Sequence, residues 1–166
     1  MRKISVIIIA LLSLLVGCNG NANSAVLNLR NISFIAEVTC NNTAYSIDCC
    51  IGDNKNFSAT VVSPEYLSGI TYSFESENST FSYEGVEISN ADLLLPDNNF
   101  LVLFKEILST CDGAVFDTKK GKSTVRGTVG ENSYSITASP GGLPISMTVD
   151  GIGAAVTFKN ITCLYP

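Results

Sequence analysis

From Ile32 onward, apolar and polar residues alternate. Phe34, Ala36, Val38 and Cys40 fall on one side of an extended chain, and Ser33, Glu37 and Thr39 on the other beside Ile35. Successive side chains of a strand point to opposite faces, so this run predicts a half-buried β-strand. Asn41-Asn42 reads as a hairpin turn, and Tyr45, Ile47, Cys49 and Ile51 repeat the pattern on the return. Gly52-Asp53-Asn54 is a second turn; Phe57 to Val62 is a third strand, closed by Ser63-Pro64. After Gly69, Ile70, Tyr72 and Phe74 alternate with Thr71, Ser73 and Glu75. Glu77-Asn78-Ser79 is expected to turn the chain, and Phe81 and Tyr83 to bring it back. Gly85 breaks that strand, and Val86 with Ile88 resumes it. Residues 32 to 89 therefore read as an antiparallel meander, one strand roughly every ten residues.

The period then changes. Pro96-Asp97-Asn98 stops one element and starts another, with Asp97 or Asn98 as the expected N-cap. Phe100, Leu103, Phe104, Ile107 and Leu108 recur at the spacing of one helical face, a helix of about three turns. Leu101 and Val102 widen its apolar part, so it is expected to pack into the concave side of the sheet rather than lie on a surface. Thr110 to Gly113 ends it. Strands resume at Ala114 to Asp117, with Lys119-Lys120-Gly121-Lys122 as a solvated tip. Thr124 to Val129 and Ser133 to Ala138 form a hairpin across Gly130-Glu131-Asn132. Pro140-Gly141-Gly142 precedes Ile145 to Val149, and Asp150-Gly151 is a strong hairpin signal before Ala154 to Phe158. About nine or ten strands and one helix, placed after the first five or so strands, predict a mainly β (α+β) fold. Its architecture is a strongly curved antiparallel sheet, a half-barrel wrapped around one apolar helix.

The N-terminus has a different character. Arg2 and Lys3 precede an apolar run from Val6 to Val16, broken by Ser13. That run is about half the ~20 residues of a membrane-spanning helix, and positive charges before a short apolar stretch are the layout of an export signal. It ends in Leu15-Val16-Gly17-Cys18, which resembles the lipobox of bacterial lipoproteins. The resemblance implies that Cys18 takes a diacylglycerol and becomes the first residue of the mature chain. The expected organisation is a signal peptide over 1–17, the lipidated Cys18 and a polar tether over 18–25, and a single half-barrel domain over 26–166. The expected location is extracytoplasmic, anchored to the bacterial cell membrane through the lipid on Cys18.

Composition narrows the chemistry. The chain has 10 basic and 15 acidic residues, a net charge of −5. The signal carries two of the cations and none of the acids, so the remainder is more acidic still. Such a domain is a poor candidate for nucleic acid, where phosphate contacts dominate affinity. There is no His, which removes the commonest general base and metal ligand. No Ser-x-x-Lys tetrad and no phosphate-binding glycine loop occur. Glu75, Glu84 and Glu87 could pair as carboxylates no more readily than any acidic sheet surface. Asp92, Asp97 and Asn98 do not have the spacing of a calcium loop. The expectation is a non-enzyme without metal or cofactor. Beyond Cys18, the cysteines are Cys40, Cys49, Cys50, Cys111 and Cys163. They read either as small buried hydrophobes or, in part, as structural disulfides; their odd number cannot all pair within one chain.

Three passages carry a family resemblance. They are Ser63-Pro64-Glu65-Tyr66-Leu67-Ser68-Gly69-Ile70-Thr71-Tyr72-Ser73-Phe74, then Phe81-Ser82-Tyr83-Glu84-Gly85-Val86, then Gly142-Leu143-Pro144-Ile145 before a strand ending Asp150-Gly151. Together with the order of elements they resemble the outer-membrane lipoprotein carrier and receptor fold (LolA/LolB-like) over roughly residues 28 to 164. The resemblance implies a half-barrel with an apolar cavity under its helix that holds a lipid or other apolar ligand. By position, Ile70, Tyr72, Phe74, Phe81 and Tyr83 would line the concave face. Phe100, Leu103, Phe104 and Ile107 would form the lid. A carrier in that family is not lipid-anchored, and the receptor's exposed apolar loop has no counterpart here. The alternative is a surface protein-interaction or sensor domain with a dry core, its protein partner unknown.

Overall fold

The computed structural model describes residues 24–75, 78–91, 95–96, 99–117 and 123–164. The signal segment, Cys18, Glu77, Asp92, Asp97, Asn98 and the Lys119–Lys122 turn lie outside the described residues.

The predicted meander is present. β2 (Ile32–Cys40), β3 (Thr43–Ile51), β4 (Phe57–Ser63), β5 (Thr71–Glu75), β6 (Asn78–Tyr83) and β7 (Val86–Ser89) pair in sequence order, each antiparallel to the next. Asn41 and Asn42 both take positive φ, 49° and 64°, as a tight two-residue hairpin turn requires. Ile32, Phe34, Ala36 and Val38 are buried on one face, as are Ile47, Cys49 and Ile51 across from them.

Two details differ from the expected pattern. Asn78 and Ser79 belong to β6, Asn78 pairing with Glu75, rather than to the turn. Gly85 does not interrupt one strand: with Glu84 it makes a full reversal, so Tyr83 lies opposite Val86. Both residues have positive φ, and a two-residue turn of that kind folds a strand back on itself.

α1 (Phe100–Cys111) follows β7 rather than the first five strands. Its N-cap is Asn99, not Asp97 or Asn98: the Asn99 side chain accepts from the Leu101 N–H at 3.0 Å. The far end of the sheet is β9 (Ser123–Val129), β10 (Asn132–Ala138), β11 (Pro144–Val149) and β12 (Ala154–Cys163). β12 is longer than predicted and pairs with β2, joining the two halves. The result is a ten-stranded antiparallel sheet in the order β7-β6-β5-β4-β3-β2-β12-β11-β10-β9. Its ends do not meet, and its concave face wraps the helix, the half-barrel expected from the sequence. Val102, Leu103, Phe104, Ile107, Leu108 and Cys111 of α1 are buried against that face.

A short N-terminal strap completes the fold. β1 (Ser24–Val26), part of which falls in the expected tether, pairs with β8 (Val115–Asp117). Leu27 and Leu29 are buried. The Leu27 N–H donates to the Ala114 carbonyl at 2.9 Å, and the Asn28 N–H to the Gly142 carbonyl at 3.0 Å. Gly142 sits at φ +83°, where a Cβ would collide with the Val26 carbonyl, so the strap passes over a position that takes no side chain. Asp112, at the end of α1, accepts from the Leu29 N–H at 3.2 Å and pairs with the Arg30 guanidinium.

Candidate functional site

Four aromatic rings surround Phe104: Phe34 at 6.4 Å, Phe57 at 6.2 Å, Phe158 at 6.1 Å and Phe100 at 5.1 Å between centroids. These spacings are those of packed aromatic pairs. Tyr72, Leu103, Phe104 and Ile107 are fully buried there. Over its middle turns, then, α1 packs directly against the groove of the sheet.

The packing ends at the first turn of α1. There Asn99, Phe100 and Leu101 face Cys40, Tyr45 and Ile47 at the tip of the β2–β3 hairpin. Val61, Leu67, Ile70 and Phe81 complete a cleft of ≈ 250 Å³. Among the described residues no charged side chain lines it. Its polar groups are the Cys40 thiol, the Tyr45 hydroxyl and the Asn99 amide. The thiol lies 3.5 Å from the Ile152 carbonyl, and the Asn99 oxygen is occupied in capping the helix. An apolar wall with a few polar groups is the usual make-up of a small-molecule site, and the volume falls just below the ~300 Å³ of the smallest drug-sized pockets. It suits an acyl tail or a ring better than a whole lipid.

Phe81 borders a second concavity of ≈ 350 Å³, shared with Tyr83, Glu84, Val86 and Ile88. Ile88 lies opposite Phe81, and Phe81 opposite Tyr72, so both hollows open on the same, helix-side face. One apolar strip thus runs from the helix N-terminus past Phe81 to the edge of the sheet. A larger hollow between α1 and the β9–β10 turn carries Glu106 and Glu131 and lacks that apolar character.

Of the residues singled out from the sequence, Ile70, Phe81 and Phe100 meet in the cleft and Tyr83 continues it. Tyr72, Leu103, Phe104 and Ile107 lie in the dry core. Phe74 is half-buried beneath the Lys105 ammonium, 3.6 Å from its ring centroid. Cys40, Tyr45, Ile47, Val61, Leu67 and Leu101 are cleft residues that sequence reasoning did not assign. The alternation of β2 and β3 had marked several of them as inward-facing, but nothing in it says where the helix stops covering them.

Of the described thiols, Cys49 and Cys111 are buried. Cys40, Cys49, Cys50, Cys111 and Cys163 form no disulfide with one another. Burial, with Asp48 nearby, pushes the Cys49 and Cys50 thiols up, away from the thiolate a nucleophile needs. Cys111 is likewise raised by burial, with a hydrogen bond to Tyr134 opposing. Burial and that bond push the Tyr134 hydroxyl up to about 12. Among the described residues no group of three His, Cys, Asp or Glu side chains comes together to hold a metal.

No protein-family model matches the chain, and no curated protein does. Among solved structures it is similar to a LolA superfamily protein from Nitrosomonas europaea. The identity is 7%, covering 81% of this chain and 86% of that one, with a TM-score of 0.40. So loose a likeness carries no activity from one protein to the other.

Proposed function

We propose that this chain is an extracytoplasmic lipoprotein, anchored to the membrane through a lipid on Cys18, whose half-barrel binds a lipid or other apolar ligand. The binding reading rests on one observation: the apolar cleft of ≈ 250 Å³ where the first turn of α1 leaves Ile70 and Phe81 uncovered. A tail enters beside Phe100 and lies along Phe81 toward Tyr83. With no cation among the described residues of the cleft, the ligand is held by its apolar part. The anchor rests on Arg2-Lys3, the apolar run and Leu15-Val16-Gly17-Cys18.

A second reading is a protein-interaction or sensor domain with a dry core. The closed aromatic packing around Phe104 favours it, since most of the groove has no room for a ligand.

Native mass spectrometry of the mature lipoprotein, purified from bacterial membranes in detergent and compared before and after lipid extraction, separates the two. A stoichiometric apolar adduct beyond the anchor, lost on extraction and absent from Phe81→Asp, supports the cleft. Phe81 is only partly buried, and circular dichroism checks that the variant is folded. A bare mass, even after incubation with fatty acid and phospholipid, favours the dry-core reading. The anchor is tested apart from the cleft: Cys18→Ser abolishes incorporation of labelled fatty acid if Cys18 is acylated.

A further inference from the structure

Among the described residues the sheet has two open edges, β7 and β9. Each carries an unpaired row of backbone groups, the usual template for joining another strand. Each edge strand adjoins a two-residue hairpin turn: Tyr83 lies opposite Val86 across Glu84-Gly85, and Val129 opposite Asn132 across Gly130-Glu131. Residues flanking such a turn exchange both of their backbone hydrogen bonds, and the pairing alternates from there. Val86 and Ile88 therefore bond toward β6, while Glu87 and Ser89 turn their N–H and C=O to the open side. By the same alternation Val125, Gly127 and Val129 bond toward β10, and Thr124, Arg126 and Thr128 present theirs to the open side.

The side chains are ordered to match. Val86 and Ile88 stand on the helix-side face, 65% and 41% exposed. Glu87, opposite Ser82, stands on the other face. At the far edge Val125 is opposite the buried Ile136, and Gly127 opposite the buried Tyr134, so both are on the helix side. Arg126, opposite Ser135, is on the outer face. Neither Glu87 nor Arg126 has an ion-pair partner among the described residues.

We propose that these two edges are the halves of a head-to-tail contact between copies of this chain. β7 of one copy adds antiparallel to β9 of the next. Glu87 pairs with Arg126, Ile88 lies against Val125, and Ser89 faces Thr124. A sheet of ten antiparallel strands has edges that run in opposite directions, so the next copy joins antiparallel with its helix-side face on the same side. The contact orders both charges on one face and both apolar residues on the other. It also gives Val86 and Ile88 cover that the single chain lacks. Like edges do not pair: β7 on β7 brings Glu87 toward its twin, β9 on β9 brings Arg126 toward its twin, and like charges across a ladder repel. A contact between unlike edges does not stop at two copies unless it closes a ring.

The test is sedimentation velocity of the full chain in non-ionic detergent at low salt, across a wide concentration range. The expected result is an average mass that rises past the dimer with concentration. Glu87→Arg and Arg126→Glu each weaken association about three- to tenfold. The chain carrying both changes regains it, since each contact then has the charges exchanged. Glu87 and Arg126 are exposed, so circular dichroism should show all three variants folded. A chain that stays single at every concentration, stops at a dimer, or associates no better with both changes than with one overturns the proposal.

Discussion

Phe104 and Phe81 look alike in the sequence, two aromatics on apolar faces, yet they have opposite fates. Phe104 is wholly buried among Phe34, Phe57, Phe100 and Phe158, whereas Phe81 borders two open hollows. Periodicity marks an inward face but not whether the space beyond it is filled, and for that reason the expected lid residues divided between core and cleft. Phe104→Ala should lose about 3–5 kcal/mol in urea unfolding, the usual cost of emptying a large core site; a loss under 1 kcal/mol would mean loose packing there. A second residue-scale prediction concerns Tyr134. Its hydroxyl lies over Gly127, where any Cβ would collide with it, and hydrogen-bonds Cys111. Its ionisation is moved from 10.0 to about 12. A pKa raised on folding adds stability that is complete below the unfolded value and lost as pH rises through the folded one. The melting temperature should therefore fall between pH 10 and about 12, and Tyr134→Phe should flatten that part of the curve. An unchanged alkaline slope in the variant would remove Tyr134 as its source.

Strand by strand, β2 to β5 were legible because each pairs with its sequence neighbour, so alternation and turn residues sufficed; the Glu84-Gly85 reversal between β6 and β7 read instead as a break within one strand. The N-terminal strap was not: Leu27 and Leu29 alternate with Asn28 and Arg30, but the run is short and its partners are distant, at Asp112 to Ala114 and Gly142. The N-cap was missed because Asp97, Asn98 and Asn99 are all good capping residues, and only the geometry of the first turn selects Asn99. Asp112 ties strap to helix through two contacts of different worth. Its side chain is 9% exposed, while that of Arg30 is 62% exposed. Asp112→Ala leaves the Leu29 N–H without its partner and should cost about 1–3 kcal/mol in a denaturant melt. Arg30→Ala removes a solvent-screened pair and should cost under about 1 kcal/mol. Equal losses from the two would contradict this division.

On the scale of the molecule, the half-barrel class was readable from strand count and the single strongly apolar helix. The long-range closure was not. β12 pairs with β2 across most of the chain, Ala154 opposite Cys40 through Cys163 opposite Ile32, and no local signal names that partner. Nor could the sequence say that α1 packs its middle turns against the groove and leaves an apolar cleft at its N-terminal end. That end is the central claim of the functional account. The most direct test is photo-crosslinking with a fatty acid that carries a photoreactive group near its tail, followed by peptide mapping of the labelled chain. Labels on the peptides that contain Ile70, Phe81 and Phe100, competed by unlabelled fatty acid, are the predicted result. Labelling that spreads over the surface without competition, or is absent, would contradict an apolar site at the helix N-terminus.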